Sequence, residues 1–130
     1  MKTFEQIYRL NESYPYKKSD GSWDTKKLTR WYRGGDKWTP VGQTAESLKD
    51  FVSENFAGLY RENAPYDSER YEEAFYMVND NNEKIFRVEL FRCEGLYKLY
   101  ITKNGKGIKE WKTEDAEHAG AMMEYLFGDL

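Results

Sequence analysis

One cysteine, Cys93, and one histidine, His118, are the residues of this chain best suited to covalent catalysis. An imidazole within hydrogen-bonding reach of a thiol makes a thiolate nucleophile. Their sequence surroundings argue for plainer roles. His118 falls in the acidic first turns of an expected helix, and Cys93 closes an expected strand, where cysteine serves as a small core or edge residue. With one ligand of each kind, a conventional zinc site is excluded. Asp20 and Asp24 have the spacing of a partial calcium loop without its remaining ligands or distal glutamate. Asn104-Gly105-Lys106-Gly107 is glycine-rich and basic, but no helix follows to offer its N-terminus to a phosphate. Glu72 and Glu73 point to opposite faces of a strand, whereas glycoside hydrolysis needs two carboxylates facing one cleft. No catalytic residue, metal or cofactor is assigned. An enzyme with a carboxylate site that leaves no sequence signature stays open as an alternative.

Two stretches have the chemistry of recognition instead. Between residues 17 and 38, Lys17, Lys18, Lys26, Lys27, Arg30, Arg33 and Lys37 interleave with Trp23, Trp31, Tyr32 and Trp38. Bases stack on aromatic rings and phosphates pair with cations, so the pattern suits single-stranded nucleic acid. Tyr, Trp and Arg also dominate the energetic centres of protein interfaces, which fits a protein partner at least as well. Within this segment, residues 28–42 read as a hairpin. A Gly34-Gly35 turn sets Trp31 opposite Trp38 and Leu28 opposite Val41, while a turn centred on Gly35-Asp36 shifts those pairs. The tryptophans then belong partly to the core, leaving Arg30, Tyr32, Arg33 and Lys37 on the rim. The second stretch is acidic: Glu110, Glu114, Asp115 and Glu117 surround an expected helix start and could imitate the charges of a nucleic acid.

The elements that must position these residues follow from periodicity. Thr3 and Gln6 fit a capping box for a short helix over residues 4–10. Residues 11–27 read as a loop. Thr44 N-caps a helix over residues 44–57 whose apolar stripe is Ala45, Leu48, Phe51, Val52 and Phe56, with Gly58 as its stop. Residues 59–71 read as an irregular connection. Strands are expected at 74–79, 84–92, 96–103 and 108–112. Phe86, Val88 and Leu90 face one way in the second, and Tyr97, Leu99 and Ile101 share a face of the third. Asn104-Gly105 marks a type I′ turn. Ile108 and Trp111 can share a face only across a bulge. Thr113 then N-caps a last helix with Ala116, Ala119, Met123, Leu126 and Phe127 inward. Hairpin followed by Thr-capped helix thus occurs twice. The expected fold is α+β: an antiparallel sheet, made of the hairpin and a C-terminal meander of about four strands, packed by two main helices and a short N-terminal helix. Residues 1–130 are read as one compact domain.

Composition bounds the function. The 130 residues include 11 Tyr, 7 Phe and 4 Trp, enough large rings for a core despite a mean hydropathy of −0.94. No apolar run approaches the ~20 residues of a membrane helix, and MKTFEQIYRL has no signal-peptide core, so no membrane is expected. The lone cysteine excludes an internal disulfide and fits a reducing, cytoplasmic setting. Residues 1–41 hold 9 Lys/Arg against 5 Asp/Glu, a net of +4, and the rest hold 11 against 18, a net of −7. A pI near 5.3 argues against a dedicated nucleic-acid binder. In size, acidity and lack of motifs the chain is similar to small phage or mobile-element inhibitors, such as anti-CRISPR and other anti-defence proteins, with no particular residue carrying the likeness. The function expected is a non-enzymatic protein-binding domain. It would occlude or mimic nucleic acid toward a nucleic-acid-binding enzyme, with single-stranded nucleic-acid binding through residues 17–38 as the alternative.

Overall fold

A computed structural model describes residues 16–29, 31–34, 37–40, 43–63 and 71–128, with backbone alone at 31–34, 37–40 and 71–72. Its elements run α1 (Thr25–Leu28), β1 (Trp31–Gly34), β2 (Lys37–Pro40), α2 (Ala45–Asn55), β3 (Gly58–Arg61), β4 (Tyr71–Val78), β5 (Lys84–Cys93), β6 (Leu96–Lys103), β7 (Lys106–Thr113) and α3 (Ala116–Phe127). The fold is α+β. Strands β3 to β7 form a five-stranded antiparallel meander in sequence order, and β1 and β2 pair as a separate two-stranded ribbon.

Tight turns enforce the meander. Asn104 and Gly105 both adopt left-handed backbone, at φ of 53° and 79°, which is the type I′ geometry expected from the dipeptide. Glu94 and Gly95 repeat it at 54° and 78°, with a glutamate where asparagine is preferred. These two-residue turns fix the register, so Val88 lies opposite both Phe75 and Ile101, and Leu99 opposite Leu90 and Trp111. Phe75, Met77, Phe86, Val88, Leu90, Leu99, Ile101 and Trp111 therefore share one buried face. Leu48 and Val52 of α2, and Ala119, Met122, Leu126 and Phe127 of α3, complete that core. Ring contacts tie the layers: Phe75 meets Phe127 edge-on at 4.7 Å, and Phe51 meets Phe86 at 5.0 Å. Burying each such ring contributes about 1.5–3 kcal/mol.

Several expectations are corrected. The expected loop at 11–27 contains α1, capped by the Asp24 side chain, and Leu28 ends that helix fully buried rather than opening a hairpin strand; its expected partner Val41 lies outside the described residues. The ribbon has the register of the turn at Gly35-Asp36: Trp31 lies opposite Pro40, and Arg33 opposite Trp38. Gly58 does not stop α2, which ends at Asn55; Gly58 opens β3, an edge strand of the sheet whose other three residues fall in the stretch 59–71 read as irregular. Thr44 does cap α2, its hydroxyl accepting from Ser47 N–H at 3.1 Å. The cap of α3 is Asp115 rather than Thr113, which ends β7, so the repeated Thr-capped pattern holds once. On α3, Ala116 is exposed, while Met122 and His118 are fully buried. The bulge on the last strand is present: Ile101 pairs with Lys109 and Thr102 with Gly107, so Ile108 is the extra residue and packs against the core that buries Trp111. The short helix expected over 4–10 lies outside the described residues.

Candidate binding surface

The helices cover one face of the meander, and the same registers define what stands on the other. Tyr76, Arg87 and Thr102 form one cross-strand row, beginning at Tyr60 on β3. Ala74, Glu89, Tyr100 and Glu110 form the next, and Phe91, Lys98 and Lys112 a third. An antiparallel sheet with one solvated face normally carries small polar and charged residues there. Here four aromatic rings stand among the charges, and Tyr60 is 52% exposed.

The cations on this face are held by rings and carboxylates. Lys84 Nζ sits 3.5 Å from the centre of the Tyr60 ring and 5.2 Å from that of Tyr76. Lys98 Nζ lies 4.9 Å from the Tyr100 ring centre and 5.8 Å from that of Phe91. Such contacts are worth about 0.5–1 kcal/mol at exposed sites. Arg87 bridges Glu62, at 2.9 Å, and the buried Glu89. Glu110 accepts from Lys98 at 3.1 Å and Lys112 at 2.8 Å. The Tyr100 ring lies over Gly107, in the space a Cβ would fill, so the glycine there sets the ring's position.

Burial works to raise the Glu110 carboxyl, but the hydrogen bonds and charges of Lys112 and Lys98 outweigh it and hold it below the ordinary value of 4.5. A carboxyl depressed in the folded state contributes stability above its unfolded value and loses it as pH falls through the folded one. Glu110→Gln is therefore expected to cost about 0.5 kcal/mol at neutral pH, a figure discounted for solvent screening. Paired thermal melts from pH 7 downward should show that difference shrink once the pH falls below 4.5.

The residues singled out in the sequence are dispersed around this face. Trp31, Tyr32 and Arg33 lie on β1, and Lys37 and Trp38 on β2, placed by backbone alone; Arg30 lies outside the described residues. The ribbon flanks the meander at β7: β1 runs beside that strand, and Gln43 N–H donates to Glu110 O at 2.9 Å. Glu110 thus stands on the open face between two lysines, apart from the other acids. Glu114 is exposed in the turn, Glu117 is exposed in the first turn of α3, and Asp115 caps that helix while its carboxylate accepts from the Tyr16 hydroxyl at 3.3 Å. Trp23 packs edge-on against Tyr125 at 5.8 Å beneath Lys17.

The remaining candidates have structural roles. Both ring nitrogens of the fully buried His118 are engaged, Nε2 by the Leu28 carbonyl and Nδ1 by the Thr113 hydroxyl, so neither faces a thiol. Asp20 accepts from both the hydroxyl and the backbone N–H of Ser22, which together hold its carboxyl below the ordinary range, and Asp24 caps α1. Among the described residues, no group of three or more His, Cys, Asp or Glu side chains is placed to hold a metal ion. No described helix is long and apolar enough to cross a membrane.

Tyr60, Tyr76, Arg87, Phe91, Lys98, Tyr100 and Lys112 were not singled out in the sequence. The available signal was the alternation itself: Tyr76, Phe91 and Tyr100 occupy strand positions that alternate with core residues. Comparison with protein families, curated proteins and solved structures finds no match to this chain.

Proposed function

We propose that this chain is a non-enzymatic protein-binding domain, a small cytoplasmic inhibitor of the anti-defence type that occludes a larger enzyme or nucleoprotein. Its contact surface is the open face of the meander, extended at β7 by the ribbon that carries Trp31, Tyr32, Arg33, Lys37 and Trp38. The observation that carries this reading is the charge pairing on that face. A phosphate backbone needs cations free to replace its counterions. Arg87, Lys98 and Lys112 instead neutralise Glu62, Glu89 and Glu110, and the part-exposed Glu62 and Glu110 would meet a polyanion directly. Aromatic rings held among compensated charges suit a protein, where Tyr and Arg anchors act with a polar rim.

Charge mimicry is supported by the helical layer. Glu46, Asp50 and Glu54 lie one turn apart on the exposed side of α2, about 6 Å per step by helix geometry. None of the three has an ion pair among the described residues. Burial first, then the charges of Glu46 and Asp50, push the Tyr125 hydroxyl above its ordinary value of 10.0, a sign of the negative field there.

The test is capture from host extract with wild type and with a Tyr76→Ala/Tyr100→Ala variant. The expected partner is a protein whose retention falls about tenfold or more in the variant, consistent with losing two interface anchors. Arg33→Ala and Trp38→Ala should weaken the same partner while leaving the melting temperature in place. Equal retention by all variants, or retention of a nucleic acid that falls steeply with salt, overturns the reading.

A further inference from the structure

The two edges of the meander differ. At β7, Gln43 and the ribbon occupy the outer side. At β3, no described strand pairs with the outer side. The Glu62 N–H donates to Ala74 O at 3.1 Å, and Tyr60 lies opposite Tyr76 in the same register. By the two-residue alternation of an antiparallel ladder, Gly58, Tyr60 and Glu62 bond inward, while the amide and carbonyl of Leu59 and Arg61 point away from β4. An edge with no described partner strand is a template for another strand.

Beside this edge, toward α3, lies a groove of about 200 Å³. Leu59, Phe75 and Phe127 give it an apolar floor, and Arg61, Glu73 and Glu124 border it. Arg61 pairs with Glu73 and keeps 64% of its side chain exposed. Glu124 is exposed, and no basic residue lies in the last turn of α3, so among the described rim residues two carboxylates stand beside one cation.

We propose that β3 is a self-association edge, at which two copies of the chain pair β3 to β3, antiparallel, about a two-fold axis through Tyr60. The register follows from which groups are free. Leu59 of each copy exchanges both backbone hydrogen bonds with Arg61 of the other, and the two Tyr60 residues face each other. This covers the exposed Tyr60 ring with its own equivalent, an aromatic cross-strand pair. It also sets each Arg61 beside the other copy's Leu59, over the groove whose Glu124 has no ion pair among the described residues. The sequence Leu59-Tyr60-Arg61 is thus self-complementary in hydrogen bonding, apolar cover and charge, as a two-fold interface requires. The result is a continuous ten-strand sheet. The two surfaces meet at Tyr60, which begins the first row of the open face, but the backbone pairing of Leu59 with Arg61 does not depend on the protein-binding reading.

Sedimentation velocity over about 1 to 200 µM tests this, because a dimer's population depends on concentration. Wild type is expected to approach a mass of about 31 kDa, twice the chain's 15.5 kDa. Arg61→Pro removes an outward amide that β4 does not use, and Arg61→Glu reverses the charge. Each is expected to weaken dimerisation at least about tenfold, with far-ultraviolet circular dichroism unchanged. Arg61→Glu combined with Glu124→Arg restores the dimer by swapping the charges. Wild type remaining at 15.5 kDa throughout overturns the proposal and leaves the edge to a strand from another protein. So does dimerisation of both single variants at wild-type strength. A charge-swapped variant that stays monomeric overturns the pairing of Arg61 with Glu124.

Discussion

Replacing His118 with alanine is expected to destabilise the fold by about 3–5 kcal/mol, the upper part of the range for single core substitutions. The ring is fully buried where α1, β7 and α3 meet. The Leu28 carbonyl can only accept, so Nε2 carries the proton and donates to it, while Nδ1 accepts from the Thr113 hydroxyl at 3.0 Å. That hydroxyl in turn accepts from Asp115 N–H at 3.2 Å, and Asp115 caps α3. Tyr16 stacks on the imidazole at 5.2 Å, and Trp111 meets it edge-on at 4.8 Å. Alanine leaves both a cavity between these rings and a buried carbonyl without this donor, the latter costing about 1–3 kcal/mol. Chemical denaturation of three variants separates the terms. His118→Phe keeps volume and loses the hydrogen bonds; His118→Gln keeps a donor near the Nε2 position and should recover part of the loss. A His118→Phe variant as stable as wild type would show that the hydrogen bonds contribute nothing.

Trp111 carries the second large effect, and its two obvious substitutions should diverge. The residue is 1% exposed, lies opposite Leu99 and supports His118. Trp111→Ala should cost about 3–5 kcal/mol through the cavity it opens. The indole Nε1–H, however, is shut off from solvent and has no acceptor among the described residues. Trp111→Phe removes that orphan donor along with the second ring, and the relief of an unpaired buried group, about 1–3 kcal/mol, offsets much of the lost packing. Its expected net cost is below about 1.5 kcal/mol. Equal losses for the two variants in a urea titration would mean that the indole nitrogen is satisfied after all.

The parts of the fold that were legible in the sequence are those governed by local chemistry. The meander follows from alternation and left-handed turns: Asn104-Gly105 is a type I′ turn, Phe86, Val88 and Leu90 do face the core, and the bulge demanded by Ile108 and Trp111 is present. Thr44 caps its helix as expected. The parts that were not legible depend on distant contacts. Nothing near Leu28 signals that a histidine 90 residues away will donate to its carbonyl and hold α1 in place. Strand β3 has only four residues and gains its identity from pairing with β4. For the surface, composition pointed to residues 28–42, whereas the rows on the open face exist only once four strands lie side by side. Glu110 shows the difference: in sequence it belongs with the helix-start acids, and in the fold it belongs to two lysines.

The hydrogen bond from Gln43 to Glu110 has a bearing on how large an assembly of this chain can become. Sheets with two free margins can add copies without end, and that is the route to fibres. Here Gln43 and β1 lie along the β7 margin, so of the meander's two margins β3 is the one with no described neighbour on its outer side. Pairing two identical sides about a two-fold axis consumes both, so growth terminates at the dimer. A dimer mass that holds constant in sedimentation from about 50 to 200 µM is the expected sign of that limit, and a mass that keeps rising with concentration would show that the β7 margin also joins.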